Sequence, residues 1–164
     1  MPGGTIECWG YNKHGQTNQQ KYGQPRYGLP TKKGTTFTQV SAAEKHTCGL
    51  TSDGAIECFG DDKYGQSNGY ARKTPTTGTF TQVRAAEKHT CGLTSEGAIE
   101  CFGSDENGRT NGGQPILPAR KGARFKQVDV NNHFTCGLTS DGAIECFGVP
   151  NMGWTKTQKR WYEP

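Results

Sequence analysis

One stretch of fifteen residues is written three times along this chain, each time with two cysteines ten positions apart. The copies are HTCGLTSDGAIECFG at 46–60, HTCGLTSEGAIECFG at 89–103 and FTCGLTSDGAIECFG at 134–148, and a partial copy, GTIECWG, stands at 4–10. A unit this short cannot bury its own apolar face, so neighbouring copies must stack to form a core. The repeat therefore determines the architecture before any single residue is considered.

The period of the repeat selects the type of fold. A second motif precedes each copy, FTQV at 37 and at 80 and FKQV at 125, so successive units are 43 and 45 residues apart. This length is typical of propeller blades made of four short strands. The many Gly, Thr and Asn residues favour turns and strands over helices. We expect an all-β chain with about three full four-stranded β-propeller blades plus a half blade.

The repeats divide the chain into a propeller-type domain and a tail. The partial blade covers 1–36, the full repeats cover 37–79, 80–124 and 125–148, and the non-repeating tail covers 149–164. Propellers need four to eight blades to close a ring. Three interpretations are open: a fragment of a longer propeller, two copies that join into one ring as a homodimer, or a short open stack with capped ends.

The cysteine spacing predicts a hairpin in which the two sulfurs face each other. If Cys48 lies opposite Cys58, Thr51 pairs with Ala55 and the sequence SDG forms a three-residue loop, a type I turn followed by glycine. A two-residue loop would shift this register by one residue. Glu96, in the second copy, would tolerate the positive φ of that shorter turn poorly. We therefore expect the three-residue loop.

Alternation along the strands gives each hairpin two faces. Cys48 and Leu50 share one face with Ile56 and Cys58, while Phe59 points to the other. Blades of a propeller are flanked on both sides, so both faces become partly buried. We expect three phenylalanines to fill matching gaps between neighbouring blades: Phe59, Phe102 and Phe147.

The six cysteines of the full copies are predicted to form three disulfides: Cys48–Cys58, Cys91–Cys101 and Cys136–Cys146. The chain has 30% hydrophobic residues and 24 glycines, so its core is small, and closing each short loop would contribute roughly 2–3 kcal/mol. One alternative is buried thiols in a cytosolic protein. A zinc site is a weaker one, because no C-x-x-C pair is present. The spacing places the partner of Cys8 upstream of Met1, outside this chain.

Basic residues before the F-x-Q-V motif of each unit form part of a candidate binding rim. Equivalent loops of stacked units emerge on the same side, so their charges could attract an anionic partner. The alternative is ordinary solvated loop charge, and the modest net charge of +4 argues against nucleic acid as the partner. The residues are Lys32, Lys33, Arg72, Lys73, Arg120 and Lys121, with Arg124 nearby.

Aromatic residues in the loops between the repeats are the second part of the candidate rim. Rings among Gly, Asn and Gln suit stacking on a glycan or anchoring a protein interface. The alternative is that they pack on their own scaffold. We single out Tyr64 and Tyr70, and the wider set is Tyr11, His14, Tyr22 and Tyr27.

The remaining polar residues do not indicate catalysis, a metal or a cofactor. The acidic pairs at 61–62 and 105–106 lack the alternating ligands of a calcium loop, and the G-x-x-x-x-G-Q segments lack the Lys-Ser/Thr of a phosphate loop. His46 and His89 are repeat positions, and no nucleophile, base and orienting acid form a set outside the repeat. No apolar run could span a membrane, and no signal peptide is recognisable.

The order of these motifs resembles the repeat of the regulator of chromosome condensation family. F-x-x-V stands at 37–40, H-T-C-x-L-x-x-D-G-x-x-x-C-F-G at 46–60 and G-x-x-x-x-G-Q at 60–66, and the set recurs up to 148. The resemblance implies a β-propeller, usually of seven blades, with a binding surface on its rim loops. The paired cysteines resemble the extracellular and bacterial branch of the family rather than its nuclear exchange factor.

Three departures from the pattern lie toward the end of the chain. Phe134 stands where the other copies have histidine, Arg109 stands where the other units have Gln16 and Gln66, and the last unit runs into the tail without a Gly-Gln element. We expect a secreted, non-enzymatic binding module. The alternatives are an intracellular adaptor or exchange-factor-like propeller with reduced thiols, and an enzyme inhibitor or lectin that uses the rim loops.

Overall fold

Nine strands form three antiparallel sheets, one for each full repeat. The structure, a computed structural model, describes residues 4–17, 35–67 and 73–148. No helix in these ranges is long and apolar enough to cross a membrane. In each sheet the strands follow chain order, and we call the sheets blades 1, 2 and 3. Their strands are β1 Phe37–Ala42, β2 His46–Thr51 and β3 Ile56–Gly60; β4 Phe80–Ala85, β5 His89–Thr94 and β6 Ile99–Gly103; β7 Phe125–Val130, β8 Phe134–Thr139 and β9 Ile144–Gly148.

The hairpin between the second and third strand of each blade has the predicted register. Cys48 pairs with Cys58, the amide of Thr51 donates to the carbonyl of Ala55 over 2.8 Å, and Gly54 has a φ of +80°. A residue with a Cβ would be strained at that φ, which explains the glycine of the SDG loop. The three disulfides are present at the predicted pairs.

Each described blade has three strands where four were expected. The fourth position, beside the third strand, holds a single bridge: Lys73 pairs with Ile56, and Ile116 pairs with Ile99. In an antiparallel ladder the next residue to exchange hydrogen bonds lies two positions on, and these residues are Pro75 and Pro118. Proline has no amide hydrogen to donate, so the ladder does not extend in that direction.

A bulge explains why Phe and Val stand three apart in a strand motif. The register shifts between Phe80 and Gln82, so Phe80 and Val83 both face blade 1 although strict alternation would separate them. Together with Phe102 they pack on the disulfide face of blade 1, which comprises Cys48, Leu50, Ile56 and Cys58. The same packing recurs between blades 2 and 3. The expectation that phenylalanines fill the gaps between blades is confirmed for these two interfaces.

The glutamine of the F-x-Q-V motif links one blade to the next. The side-chain oxygen of Gln39 accepts a hydrogen bond from the amide of Val83 over 2.7 Å, and Gln82 does the same for the amide of Val128 over 3.2 Å. These amides lie on the first strand of a blade, which has no neighbouring strand on that side. The motif therefore supplies both the apolar packing and the polar link between blades.

The partial copy at 4–10 lies against blade 1 as the last strand of a preceding blade would. The amide of Phe37 donates to the carbonyl of Gly4 over 2.7 Å, as the amide of Phe80 donates to that of Gly54 over 2.8 Å. The Ile6 side chain lies over the middle of β2. Val40 is nevertheless exposed, whereas Val83 is fully buried. We call residues 4–10 the half blade.

Candidate interaction surface

The predicted rim residues lie at opposite ends of the blades. One end carries the turn between the first and second strands and the G-x-x-x-x-G loops that follow β3 and β6, and we call it the latch rim. The other end carries the SDG-type hairpins and the segments that lead into β4 and β7, and we call it the hairpin rim. Tyr64 belongs to the latch rim, whereas Lys73, Arg120 and Lys121 belong to the hairpin rim.

On the hairpin rim, acidic residues compensate part of the predicted basic charge. Arg120 donates to the carboxylate of Asp141 over 2.8 Å, and Arg124 lies 3.7 Å from Glu96. Hydrogen bonds from Thr139 and Arg120 lower the pKa of Asp141 to about 2, so this carboxylate stays ionised beside the arginine. The predicted residues Lys32, Lys33 and Arg72 lie outside the described residues.

On the latch rim, aromatic rings and lysines stand together at the surface. The ammonium groups of Lys63 and Lys88 lie 5.4 Å and 5.3 Å from the centre of the exposed Tyr64 ring, within the range of a cation–π contact. Tyr11 is exposed too, and its ring centre lies 6.4 Å from that of His14. Both groups lie on loops of the latch rim. Three of the predicted tyrosines lie outside the described residues: Tyr22, Tyr27 and Tyr70.

Glutamine and arginine hold the loops of the latch rim in place. The amide of Tyr64 donates to the side-chain oxygen of Gln66 over 2.8 Å, and the amide of His14 donates to that of Gln16 over 2.9 Å. Gln16 in turn donates to the backbone carbonyl of Glu44, on the next turn of the rim, over 3.0 Å. The loops that carry the aromatic rings therefore have a backbone fixed in advance.

Arg109 takes the place of the glutamine in the third loop and performs its role with a longer side chain. It is almost fully buried and donates to the carbonyl of Asn132 over 2.9 Å. Asn132 occupies the repeat position of Glu44, so this bond is the counterpart of the Gln16 bond. Arg109 also donates to the backbone and hydroxyl oxygens of Ser104. Arg109 therefore replaces the repeat glutamine as the side chain that holds this loop in place.

The acidic residues of these loops serve as hydrogen-bond acceptors. Asp61 accepts from the Gln66 side chain over 2.9 Å, and Asp105 accepts from the amide and hydroxyl of Thr110. Burial opposes ionisation of Asp105, but these hydrogen bonds hold its pKa below the usual value. Over the ranges that the structure describes, no three His, Cys, Asp or Glu side chains come together as a metal site would require.

His46 and His89 lie between blades, fully buried. The Nε2 atom of His46 is 2.8 Å from the hydroxyl oxygen of Thr90 on the next blade, and that hydroxyl donates to the Gln66 carbonyl over 2.8 Å. A hydroxyl has one proton, so Thr90 must accept from the histidine, whose Nε2 atom therefore carries a proton. We call this chain the relay. It recurs at the next interface through His89, Thr135 and the carbonyl of Arg109.

Burial lowers the pKa of both relay histidines to about 4. The nearby carboxylates of Asp61 and Asp62 oppose this shift for His46, whereas Arg109 and His46 reinforce it for His89, where Asp105 opposes it. Among the described residues, neither Nδ1 atom has a hydrogen-bond partner, and a proton there would be buried and unsolvated. Both histidines stay neutral at physiological pH and hold the blades together.

The hydrogen bond between repeat histidine and threonine also explains why phenylalanine can stand at position 134. The first two copies have a histidine here because a threonine of the next blade accepts its proton. The structure describes no blade after blade 3, and Phe134 is partly exposed.

Cys8, on the half blade, is partly exposed and lies in none of the three disulfides. Burial raises the pKa of its thiol.

Comparison with known proteins agrees with this architecture. The family model described as Regulator of chromosome condensation (RCC1) repeat matches residues 37–66. No curated protein sequence matches the chain. Similar solved structures include Prp20p from Saccharomyces cerevisiae, with a TM-score of 0.59 and 16% identity over 76% of this chain and 33% of that one.

Two receptor-kinase ectodomains are also similar. For the Physcomitrella patens kinase CR4 the TM-score is 0.62, with 18% identity over 87% of this chain and 35% of that one. For the Arabidopsis thaliana kinase ACR4 the TM-score is 0.54, with 24% identity over 77% of this chain and 42% of that one. The chain thus spans about a third to two fifths of these propellers. The chain is thus built of blades of the β-propeller type, each described blade braced by its own disulfide, and residues 37–66 match the regulator of chromosome condensation repeat.

Proposed function

We propose that this chain is a non-enzymatic binding module of the extracellular type, and that it holds a protein or glycan partner on the latch rim. The observation that carries the proposal is that the exposed rings of Tyr11 and Tyr64, the second beside the Lys88 ammonium group, lie on loops of the latch rim whose backbone is fixed by hydrogen bonds. Rigid loops lose little entropy on binding, and tyrosine contributes a large contact area for few rotatable bonds.

The disulfides support the extracellular assignment. Reducing conditions in the cytosol keep cysteine thiols reduced, whereas secreted proteins with small cores are commonly stabilised by disulfides. The same fold occurs in the ectodomains of CR4 and ACR4, so it is compatible with this environment. An intracellular adaptor would instead carry the six blade cysteines as thiols.

The polar side chains that could catalyse a reaction are engaged in hydrogen bonds within the protein, which supports a role without catalysis. The repeat histidines donate to threonines, the loop carboxylates accept hydrogen bonds from their own loops, and Arg109 binds Ser104 and Asn132. General acid–base or nucleophilic catalysis needs such groups directed at a substrate.

Two measurements test the proposal. The intact mass of the secreted protein, taken without reductant, should be about six mass units below that of the fully reduced chain, because each disulfide removes two hydrogens. An unchanged mass would support the intracellular alternative.

The binding surface is tested on arrays of glycans and secreted proteins with the wild type and the double variant Tyr11→Ser/Tyr64→Ser. The matched control is Leu117→Ser, an exposed apolar side chain on the hairpin rim. We expect the double variant to lose at least ~10-fold in affinity and the control to bind as the wild type does. Loss in the control alone would move the surface to the hairpin rim.

A further inference from the structure

We infer that copies of this chain associate head to tail, with Trp9 of one copy seated in an apolar socket on the outer face of blade 3 of another. The socket consists of the disulfide face of blade 3 together with the ring that replaces the repeat histidine. Its residues are Phe134, Cys136, Leu138, Ile144 and Cys146.

The interfaces between blades 1, 2 and 3 show which side chains pack on a disulfide face. The disulfide face of blade 1 packs on Phe80, Val83 and Phe102 of blade 2, and all members of this cluster are at most 9% exposed. The interface between blades 2 and 3 has the same composition. An aromatic ring at the position of Phe102 is thus the regular occupant of this face.

The socket on blade 3 is the same surface without a cover among the described residues. Ile144 is 66% exposed, whereas the equivalent Ile56 and Ile99 are fully buried. Phe134 is 38% exposed at the position where His46 and His89 are inaccessible. A continuous apolar patch of this kind marks an interaction site.

Trp9 is the matching ring at the other end of the row of blades. The half blade is positioned by the bond from the Phe37 amide to the Gly4 carbonyl, which is the counterpart of the bond from Phe80 to Gly54. Trp9 therefore occupies the repeat position of Phe102, on the face directed away from blade 1. Trp9 is 76% exposed, whereas Phe102 is 9% exposed.

The polar groups of the two surfaces are compatible. At the internal interfaces the repeat histidine needs a threonine of the next blade as acceptor. Among the described residues, the half blade corresponds only to the GAIECFG part of the unit and shows no such threonine. Phe134 needs no acceptor, so the socket has no repeat histidine that the contact would leave without a hydrogen-bond partner.

A surface at one end that binds a different surface at the other end generates a heterologous contact, which closes into a ring or continues as a chain of copies. Such a contact has a specific test. A variant that lacks Trp9 keeps its socket, and a variant with a damaged socket keeps its Trp9. Each variant alone cannot self-associate, but the two together can form one interface.

The experiment measures the mass of the oxidised 164-residue chain by light scattering and sedimentation over a wide concentration range. The variants are Trp9→Ser and Ile144→Asp, whose side chains are exposed, so both should keep the wild-type circular dichroism and the three disulfides. The control is Leu117→Ser, an exposed apolar residue outside the proposed contact.

The wild type and the control should associate with rising concentration, and each variant alone should associate at least ~10-fold more weakly. An equimolar mixture of the two variants should recover a dimer of one copy of each. A wild type that stays monomeric at all concentrations would overturn the inference, whether residues 149–164 or another protein cover the socket. Association of either variant alone as strong as that of the wild type, or a mixture that fails to dimerise while the wild type does, would overturn it as well.

Discussion

Replacing Thr90 with valine should measure what the relay contributes to stability. Thr90 is fully buried, and its hydroxyl makes two bonds, one from His46 and one to the Gln66 carbonyl. Valine keeps the shape but leaves the Nε2 proton and the carbonyl without partners. Each buried group left unsatisfied costs about 1–3 kcal/mol. We expect Thr90→Val to lower the free energy of unfolding by about 2–6 kcal/mol.

The chain contains a matched control at the equivalent position of blade 1. The Thr47 hydroxyl donates to the Gln16 carbonyl over 2.9 Å, and no histidine in the described ranges donates to it. Thr47→Val therefore loses one bond where Thr90→Val loses two. The difference, about 1–3 kcal/mol, is the contribution of His46. Urea unfolding at neutral pH, followed by far-UV circular dichroism with disulfides intact, gives both free energies.

A double-mutant cycle makes the test sharper. In a His46→Leu background the donor is gone, so Thr90→Val should cost only about as much as Thr47→Val does in the wild type. Equal destabilisation by Thr90→Val and Thr47→Val, within about 0.5 kcal/mol, would refute the assigned role of the histidine. So would a cost of Thr90→Val that is unchanged in the His46→Leu background.

Three further predictions concern pH, close packing and the disulfides. The relay histidines have a pKa of about 4 when folded and 6.5 as the reference value, so the unfolded chain binds more protons between these values. The free energy of unfolding should be fully retained above about pH 6.5 and fall by about 3 kcal/mol per histidine as the pH reaches 4, measured by urea unfolding at each pH; a flat profile would contradict the buried neutral state. At Gly92 an added Cβ would meet the Phe80 ring and stand 2.7 Å from Ile56, so Gly92→Ala should lower the melting temperature by an amount equivalent to about 1–3 kcal/mol, while Gly4→Ala, in open space, should leave it unchanged. Replacing both Cys91 and Cys101 by alanine should cost about 2–3 kcal/mol in urea unfolding, from the loop that the bridge closes; no loss would show that the bridge adds nothing.

Much of the blade could be predicted from the sequence because its contacts are local. The register of Cys48 with Cys58 and the SDG loop involve residues at most ten positions apart, and turn chemistry with strand alternation determines them. That the described residues hold only a single bridge at the fourth position of blades 1 and 2 was not predicted, although Pro75 and Pro118 were a visible signal. The boundaries of the units in the loops, and the rim residues outside the described ranges, stay predictions.

The candidate site was predicted less well because it depends on the ends of the strands. Tyr64 and the basic residues Arg120 and Lys121 were grouped on one rim, but they belong to opposite ends of the blades. Following the polarity of each strand from the second turn onward would have separated them. The partners of Arg120 and Arg124, both acidic residues of hairpin turns, could not be found from spacing alone.

The sequence by itself determined the repeat period, the paired cysteines and the face that each hairpin turns toward its neighbour, because covalent connection brings these groups together whatever the rest of the chain does. Only the tertiary structure decided that His46 donates to a threonine 44 positions away. It also decided that Arg109 makes the hydrogen bond that a glutamine makes in the first loop, and that Trp9 and Ile144 are exposed at opposite ends of the row of blades. These relations depend on how one blade is set against the next, which is determined by the packing of side chains from separate repeats.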